Sequence, residues 1–162
     1  MIILGIDPGI SRIGWGLVEE LKGRLSPIKY GCLETSPKHS EESRLLEIHI
    51  FFSKLIAEFN PDIVSLEQLF FAANTKTAFS VGQARGVLIL TMTQKKIPIQ
   101  SFTPLQVKLA ICGYGRAEKK QIQQMVKALL NLTTIPEPDD AADALAIALT
   151  FAFSYKLDKK LI

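Results

Sequence analysis

The amino-acid sequence predicts an α/β fold in which a five-stranded mixed sheet is flanked by helices on both faces. The first observation is the apolar run Ile2–Ile6, which is typical of a strand buried on both faces. Two strand-like segments follow it directly, as in an antiparallel meander. Strands and helical patterns then alternate along the rest of the chain, which favours parallel pairing through helical connections.

Each predicted strand is a short apolar segment bounded by turn residues. The tripeptide Lys22-Gly23-Arg24 supplies a hairpin turn between the second and third strands. In chain order, the strand segments are Ile2–Ile6, Trp15–Val18, Ile28–Leu33, Ile63–Leu66 and Ile97–Phe102.

The predicted helices are marked by apolar residues at helical spacing and by residues that begin or end helices. Asn60-Pro61-Asp62 ends the first helix, and Thr103-Pro104 supplies an N-cap and a first-turn proline for the third. A loop at 70–74 precedes the long second helix. The helices are expected at about 40–59, 75–94, 104–112, 118–130 and 139–155.

Composition places the chain among ordinary globular domains. Of its 162 residues, 48% are hydrophobic and 22% charged, which excludes disordered, collagen-like and coiled-coil chains. We expect one domain over residues 1–155 and a short basic C-terminal tail over 156–162. No apolar run reaches the ~20 residues of a membrane-spanning helix, and the N-terminus is typical of a buried strand rather than a secretory signal.

Charge is distributed unevenly along the chain. Residues 83–130 hold eight basic side chains and one acidic side chain, whereas the segments before and after are each net negative. This pattern indicates a polyanionic partner, although the lysines could simply solvate helix ends. Cys32 and Cys112 are far apart and lack metal-ligand spacing, so we expect free thiols in the cytoplasm and no zinc site.

Four carboxylates lie where the predicted elements can bring them together. Asp7 ends the first strand, Glu67 follows the fourth, and Asp140 and Asp143 begin the last helix. Such a cluster would raise the pKa values of its members unless a cation intervened. Oxygen ligands without His or Cys favour Mg²⁺ or Mn²⁺, and two such ions suit in-line hydrolysis of a phosphodiester.

Taken singly, most of these acids have plainer explanations. Asp7 could be a turn residue, Asp139 or Asp140 a helix N-cap, and Asp143 a partner of the helix dipole. Glu67 is harder to explain, because Glu is depleted in strands. Asp139 with Asp143 fits one helical face as well as Asp140 with Asp143, so periodicity leaves that choice open.

Taken in order, the motifs resemble those of the RuvC-type Holliday junction resolvases, over residues 1 to about 150. One Asp-Pro-Gly turn would be weak evidence, but the whole series at this spacing is highly specific. The series consists of Gly5–Gly9 with Gly14–Gly16, Glu67–Phe70 with Asn74, Gly82–Val87, Gln106–Lys108, Ala117–Lys119 and Asp140–Ala146.

The resemblance implies a ribonuclease H-like fold and a homodimeric, structure-selective DNA endonuclease of recombination and DNA repair. It implies Mg²⁺-dependent hydrolysis with two ions per active site, Mn²⁺ being a possible substitute, and nicks with 5′-phosphate and 3′-hydroxyl ends. It also implies four-way junction DNA as substrate, and as partners a junction-binding protein and a branch-migration motor of the RuvA and RuvB type. The long helix carrying Gly82–Val87 is similar to the family's dimer-forming helix.

Carried over residue by residue, the resemblance assigns roles to the acidic and basic candidates. The catalytic, metal-binding carboxylates are Asp7, Glu67, Asp140 and Asp143, which favours Asp140 over Asp139. Lys108 is expected to act in catalysis, and the DNA-binding candidates are Phe70, Lys108, Arg116, Lys119 and Lys120.

Some positions depart from the family or stay open. Phe70 matches the family's base-stacking aromatic, but neighbouring Phe71 is a rival for that role. Ile13 stands where the family usually has Thr, and Phe151 stands where many members have His.

Three other functions are compatible with parts of the sequence. A kinase or chaperone-type ATPase also carries an Asp-x-Gly turn, but it repeats that turn in a second lobe that this chain has no room for. A non-catalytic junction-binding module would gain nothing from acids facing phosphates. A ribonuclease H-like nuclease acting on RNA is the nearest alternative, and the motifs Glu67–Phe70 and Gly82–Gly86 favour the junction resolvase over it.

Overall fold

A computed structural model describes residues 1–68 and 75–160 of the chain, with 75–77 and 156–160 described by backbone alone. Its five strands form one mixed sheet, as predicted, and their order in the sheet is β3-β2-β1-β4-β5. The strands are β1 (Ile2–Asp7), β2 (Arg12–Leu21), β3 (Arg24–Glu34), β4 (Ile63–Glu67) and β5 (Ile99–Phe102). The β3-β2-β1 part is antiparallel, and β1, β4 and β5 are parallel.

Five helices connect and cover these strands. They are α1 (Glu41–Phe59), α2 (Thr75–Gln94), α3 (Pro104–Cys112), α4 (Lys119–Leu129) and α5 (Asp139–Lys160). Ser40 caps α1 by accepting from the Ser43 amide, and Thr103 forms a capping box with Gln106 at the start of α3. No helix in the described part of the chain is long and apolar enough to cross a membrane.

Four elements, β2, β3, β5 and α5, differ from their predictions by two residues or more at one end or both. The β2–β3 hairpin is longer at both ends, because backbone pairing continues through charged residues at the exposed edge of the sheet. Strand β5 begins at Ile99 rather than Ile97. The Ile97 amide donates to the Met92 carbonyl at the end of α2, and Pro98 has no amide hydrogen to donate to a neighbouring strand. Helix α5 continues past Tyr155 to Lys160.

The sheet has a core on each face. Apolar side chains of α1 and α2 pack on one face with Leu4, Ile6 and Leu66, and α3, α4 and α5 cover the other. Ile13 is fully buried in the first core, and Phe151 is largely buried in the second, so both departures from the family pattern are packing positions here. Cys32 and Cys112 are free thiols, as predicted.

Candidate active site

The site is built first from the ends of two neighbouring parallel strands. Strands β1 and β4 are in register up to Ile6 opposite Leu66, so the next step places Asp7 beside Glu67. Side chains alternate between the faces of a sheet, and Ser65, two residues before Glu67, donates a hydrogen bond of 2.7 Å to the Ile147 carbonyl of α5. Glu67 therefore lies on the α5 face of the sheet.

Glycines allow α5 to approach that face closely. A β-carbon on Gly5 would stand 2.0 Å from the Ala144 carbonyl oxygen, and one on Gly14 would stand 2.0 Å from the Asp140 carbonyl oxygen. Any other residue at these positions would push the first turns of α5 away from β1 and β2. The close contact brings Asp143 to the cleft that Asp7 and Glu67 border.

This cleft, hereafter the acidic cleft, has a volume of about 240 Å³. Its acidic wall comes from the ends of β1 and β4 and the start of α5, and its basic side chains come from α3 and α4. The lining residues are Asp7, Glu67, Pro104, Val107, Lys108, Lys119, Ile122, Asp143, Ala146 and Ile147.

Asp7 and Glu67 form a directly hydrogen-bonded carboxyl pair. Burial raises the pKa of Asp7 well above its usual value, and the charges of Glu67 and Asp143 raise it further. Burial also raises the pKa of Glu67, although the hydrogen bond that it accepts from Asp7 acts in the opposite direction. In the absence of a cation, the pair therefore binds protons more tightly than isolated carboxyls do.

Lys119 neutralises the start of α5. Its ammonium nitrogen lies 2.6 Å from Oδ2 of Asp139 and 2.9 Å from Oδ2 of Asp143. Burial opposes the charge on Lys119, but the hydrogen bonds to Asp139 and Asp143 raise its pKa above the usual value. The pKa of Asp139 is lowered by the same contact, whereas burial raises the pKa of Asp143 despite it.

Asp140 lies beside the cleft rather than in its lining. Oδ2 of Asp140 accepts from Nε of Arg12 and from its Nη2, each at 2.8 Å, and the same guanidinium reaches Glu34. The charge of Asp140 still contributes to the raised pKa of Asp7, so the two carboxylates share one electrostatic environment.

Comparison with known proteins fits this geometry. A family model described as Crossover junction endodeoxyribonuclease RuvC matches residues 3–151. The chain belongs to the RuvC family.

Individual RuvC relatives match over nearly their whole length. The RuvC of Halothermothrix orenii is 49% identical over 160 residues, which cover 99% of this chain and 97% of that protein. The RuvC of Alkaliphilus metalliredigens is 52% identical over 154 residues, covering 95% and 94%. The structure of Thermus thermophilus RuvC in complex with Holliday junction substrate superposes with a TM-score of 0.92 at 34% identity, covering 98% and 96%.

The donor set of this RuvC-family cleft fits a hard divalent cation. Asp7, Glu67 and Asp143 offer carboxylate oxygens only, and their pKa values are raised first by burial and then by neighbouring carboxylates, a cost that a bound cation would relieve. Among the described residues, no three acidic, imidazole or thiol side chains stand close enough together to hold a metal ion as they are. Asp143 is paired with Lys119 instead, and Asp140 with Arg12.

The other predicted site residues of this RuvC-family chain differ in whether they reach the acidic cleft. Lys108 and Lys119 line the acidic cleft. Arg116 and Lys120 are exposed and lie outside its lining. Phe70 and Phe71 lie outside the described residues.

Three contacts at the site were not predicted from the sequence. Arg12 pairs with Asp140, Asp139 shares Lys119 with Asp143, and Arg85 donates a hydrogen bond to the Glu67 carbonyl oxygen. Arg12 lies between the Asp-Pro-Gly turn and the Gly14–Gly16 motif, and Arg85 is part of the motif in α2, but the sequence assigned neither residue a role. Only the folded chain shows which carboxylate or carbonyl each one reaches.

Proposed function

We propose that the protein resolves four-way DNA junctions by paired, symmetric, metal-dependent nicks in recombination and DNA repair. Each nick would leave a 5′-phosphate and a 3′-hydroxyl. The observation that carries the proposal is the partly buried Asp7–Glu67 pair, with Asp143 beside it, in a cleft that also holds Lys108 and Lys119. A relative of 34% identity forms a complex with Holliday junction substrate.

Mg²⁺ is the proposed cofactor, with two ions in the working complex and Mn²⁺ as a possible substitute. Asp7, Glu67, Asp140 and Asp143 would hold the ions, because carboxylate oxygens are the ligands that these cations prefer. Asp140 would exchange its contact with Arg12 for this role. Bound cations would stabilise charge on the attacking and leaving oxygens of the phosphodiester.

The lysines supply the positive charge that a phosphate needs in an acidic cleft. Lys108 lines the cleft and would stabilise the charge developing on the scissile phosphate. Lys119 neutralises Asp139 and Asp143 and would also contact the DNA backbone. Exposed Arg116 and Lys120, next to Lys119 in the chain, would extend this contact along the DNA, and Phe70 would stack on an unpaired base at the crossover.

A homodimer would match the two-fold symmetry of the junction. The surface proposed for it is an exposed apolar strip on α1 and α2, formed by Leu46, Ile50, Phe79 and Leu90. Gly82 and Gly86 lie on the same helix, and no atom of the described residues stands within 4 Å of a β-carbon placed on either, so another helix could approach closely there. The other proposed partners are a junction-binding protein and a branch-migration motor of the RuvA and RuvB type, acting with the enzyme in the cytoplasm.

The decisive experiment compares nicking of a synthetic four-way DNA junction with nicking of a linear DNA duplex of the same sequence. Paired symmetric nicks on the junction alone, lost in EDTA and in Asp7→Asn, are expected. An RNA duplex in parallel tests the alternative ribonuclease. Binding of the junction without cutting, at any concentration of Mg²⁺ or Mn²⁺, would instead indicate a junction-binding module.

A further inference from the structure

The peptide group between Glu67 and Gln68 lies at the end of β4, where the ladder of backbone hydrogen bonds to the parallel strands β1 and β5 stops. The Val64 amide donates to the Pro98 carbonyl at 2.9 Å, so the backbone groups of even-numbered residues in β4 point toward β5. The backbone groups of Glu67, an odd-numbered residue, therefore point toward β1. The next ladder bond on that side would run from the amide of residue 8 to the Glu67 carbonyl.

Residue 8 is proline and has no amide hydrogen to donate. The register of β1 with β4 accordingly ends at Ile6 opposite Leu66. The Glu67 carbonyl therefore receives no backbone hydrogen bond from β1. Glu67 is also the residue whose carboxylate lines the acidic cleft. A carbonyl in such a place needs another donor, since an unpaired one in a partly buried site is costly.

Arg85 supplies that donor from α2. Its Nε lies 3.3 Å from the Glu67 carbonyl oxygen, and its Nη2 lies 3.1 Å from the Ser101 hydroxyl of β5. Buried Ala84 and Leu88 on either side of Arg85 fix α2 against the opposite face of the sheet from α5. In the described part of the chain, no carboxylate pairs with this half-buried guanidinium.

The opposite end of the same peptide group is also held. The Gln68 amide donates to the Phe102 carbonyl of β5 at 2.8 Å. The peptide plane is therefore fixed at both ends, by Arg85 at its oxygen and by Phe102 at its hydrogen. Fixing this plane fixes the direction in which the Glu67 side chain leaves the backbone.

We propose that Arg85 is a positioning residue, which replaces the missing ladder bond and so holds Glu67 in the geometry that the acidic cleft requires. This inference rests on the proposed function, because it takes Glu67 as a ligand of the catalytic cation. Among the described residues Arg85 pairs with no carboxylate, and it acts through the backbone of Glu67. Supporting contacts of this kind keep a ligand within the small tolerance that catalysis allows.

The test compares Arg85→Met, which keeps the length of the side chain but removes every donor, with the wild-type chain. Amide hydrogen exchange at Gln68 reports directly on the fixed peptide group, and Leu66 serves as the reference within the same strand. In Arg85→Met we expect exchange at Gln68 to rise about 10-fold while Leu66 changes little. Equal acceleration at both amides, or none at Gln68, would overturn the proposal.

Two functional measurements accompany the exchange experiment. In the protein without DNA, Mn²⁺ should bind several-fold more weakly to Arg85→Met than to wild type. Single-turnover cleavage of the junction should fall about 10-fold or more while junction affinity stays within about 2-fold. Unchanged Mn²⁺ affinity and unchanged cleavage would each contradict a positioning role.

Three matched variants separate positioning from general stability. Arg85→Lys keeps one donor and the charge and should recover part of the cleavage rate. Ser101→Ala removes only the second contact and should cost much less than Arg85→Met. Arg24→Met, at the exposed hairpin turn, should behave as wild type. If wild type itself cuts no junction, the proposed function fails, and the exchange and Mn²⁺ measurements still decide the role of Arg85.

Discussion

The carbonyl oxygen of Asp140 lies 2.0 Å from the point where any side chain on Gly14 would begin. At Gly14, strand β2 and the first turn of α5 therefore meet backbone to backbone, at the edge of the acidic cleft. Gly5 and Ala144 repeat this relationship on β1. The position of Asp143 relative to Asp7 thus depends on two glycines that take no part in the chemistry.

Gly14→Ala is expected to displace α5 and separate the carboxylates. Because the obstructing atom is backbone, it cannot rotate away, and the free energy of unfolding should fall by about 1–3 kcal/mol. Junction cleavage should fall about 100-fold, since small misplacements of catalytic groups have effects of this size. Chemical denaturation and single-turnover cleavage measure the two effects.

Gly82→Ala is a control for stability alone, because Gly82 also lies on the proposed dimer surface. No atom of the described residues lies within 4 Å of the added methyl group, and Ala is the better helix former, so stability should rise by about 0.5–1 kcal/mol. A Gly14→Ala protein with wild-type stability and cleavage would show that α5 does not need this close contact.

Asp140 and Asp139 are neighbours that we expect to differ sharply in function. Asp140 contributes to the raised pKa of Asp7, whereas Asp139 is exposed and pairs with Lys119. Asp140→Asn should therefore reduce cleavage at least about 100-fold and Asp139→Asn less than about 5-fold, measured as single-turnover rates at saturating junction. The reverse order would assign the fourth ligand position to Asp139.

The sequence allowed most of the fold to be predicted, because apolar runs and turn residues report burial directly. Strand β1, the α1 stop at Asn60 and the Thr103 cap of α3 all follow from local chemistry. Asp7, Glu67 and Asp143 could be placed together because parallel strands end at one edge of a sheet.

What could not be predicted depends on pairs of residues far apart in the chain. The Asp139–Asp140 choice was left open by helical periodicity, and the structure separates the two by partner, Lys119 for one and Arg12 for the other. Pro8 leaves the Glu67 carbonyl without a backbone donor only because of the register in which β1 pairs with β4. The sequence shows the proline but not that register.

The proposed dimer surface makes Leu90 a sensitive position. Its side chain is 56% exposed on α2, and Leu21, 57% exposed at the hairpin end of β2, offers a control of the same type and exposure. Leu90→Asp should convert a dimer to a monomer in sedimentation experiments and reduce paired nicking, because a charge within an apolar interface is costly. Leu21→Asp should remain dimeric, and a monomeric wild-type protein would contradict the proposed surface.

Phe70 is expected to act in cleavage more than in binding. An aromatic side chain that stacks on an unpaired base at the crossover contributes about 1–3 kcal/mol. Phe70→Ala should therefore slow single-turnover cleavage at least about 10-fold with a smaller loss of junction affinity. Phe71→Ala is the matched comparison, and a larger cleavage defect there would assign the stacking role to Phe71.

Stability without metal should fall as pH rises, which is unusual for carboxylates. The pKa of Asp7 is raised by burial and then by Glu67 and Asp143, and burial also raises the pKa values of Glu67 and Asp143. The ordinary pKa values are 3.8 for Asp and 4.5 for Glu. At any pH between these ordinary values and the raised ones, the folded chain binds more protons than the unfolded chain. The stabilisation is complete below the ordinary values and is lost as pH rises through the raised ones.

Thermal unfolding in EDTA, at about pH 5 and about pH 8, measures this effect, and each kcal/mol lost should lower Tm by about 2–4 °C. Asp7→Asn should be less sensitive to pH over that range and more stable than wild type at the higher value, because it removes the buried charge. Mg²⁺ should stabilise wild type more at high pH than at low pH, since protons compete for the same oxygens. Equal stabilisation by Mg²⁺ at both pH values, or in Asp7→Asn and wild type alike, would place the cation away from the Asp7–Glu67 pair.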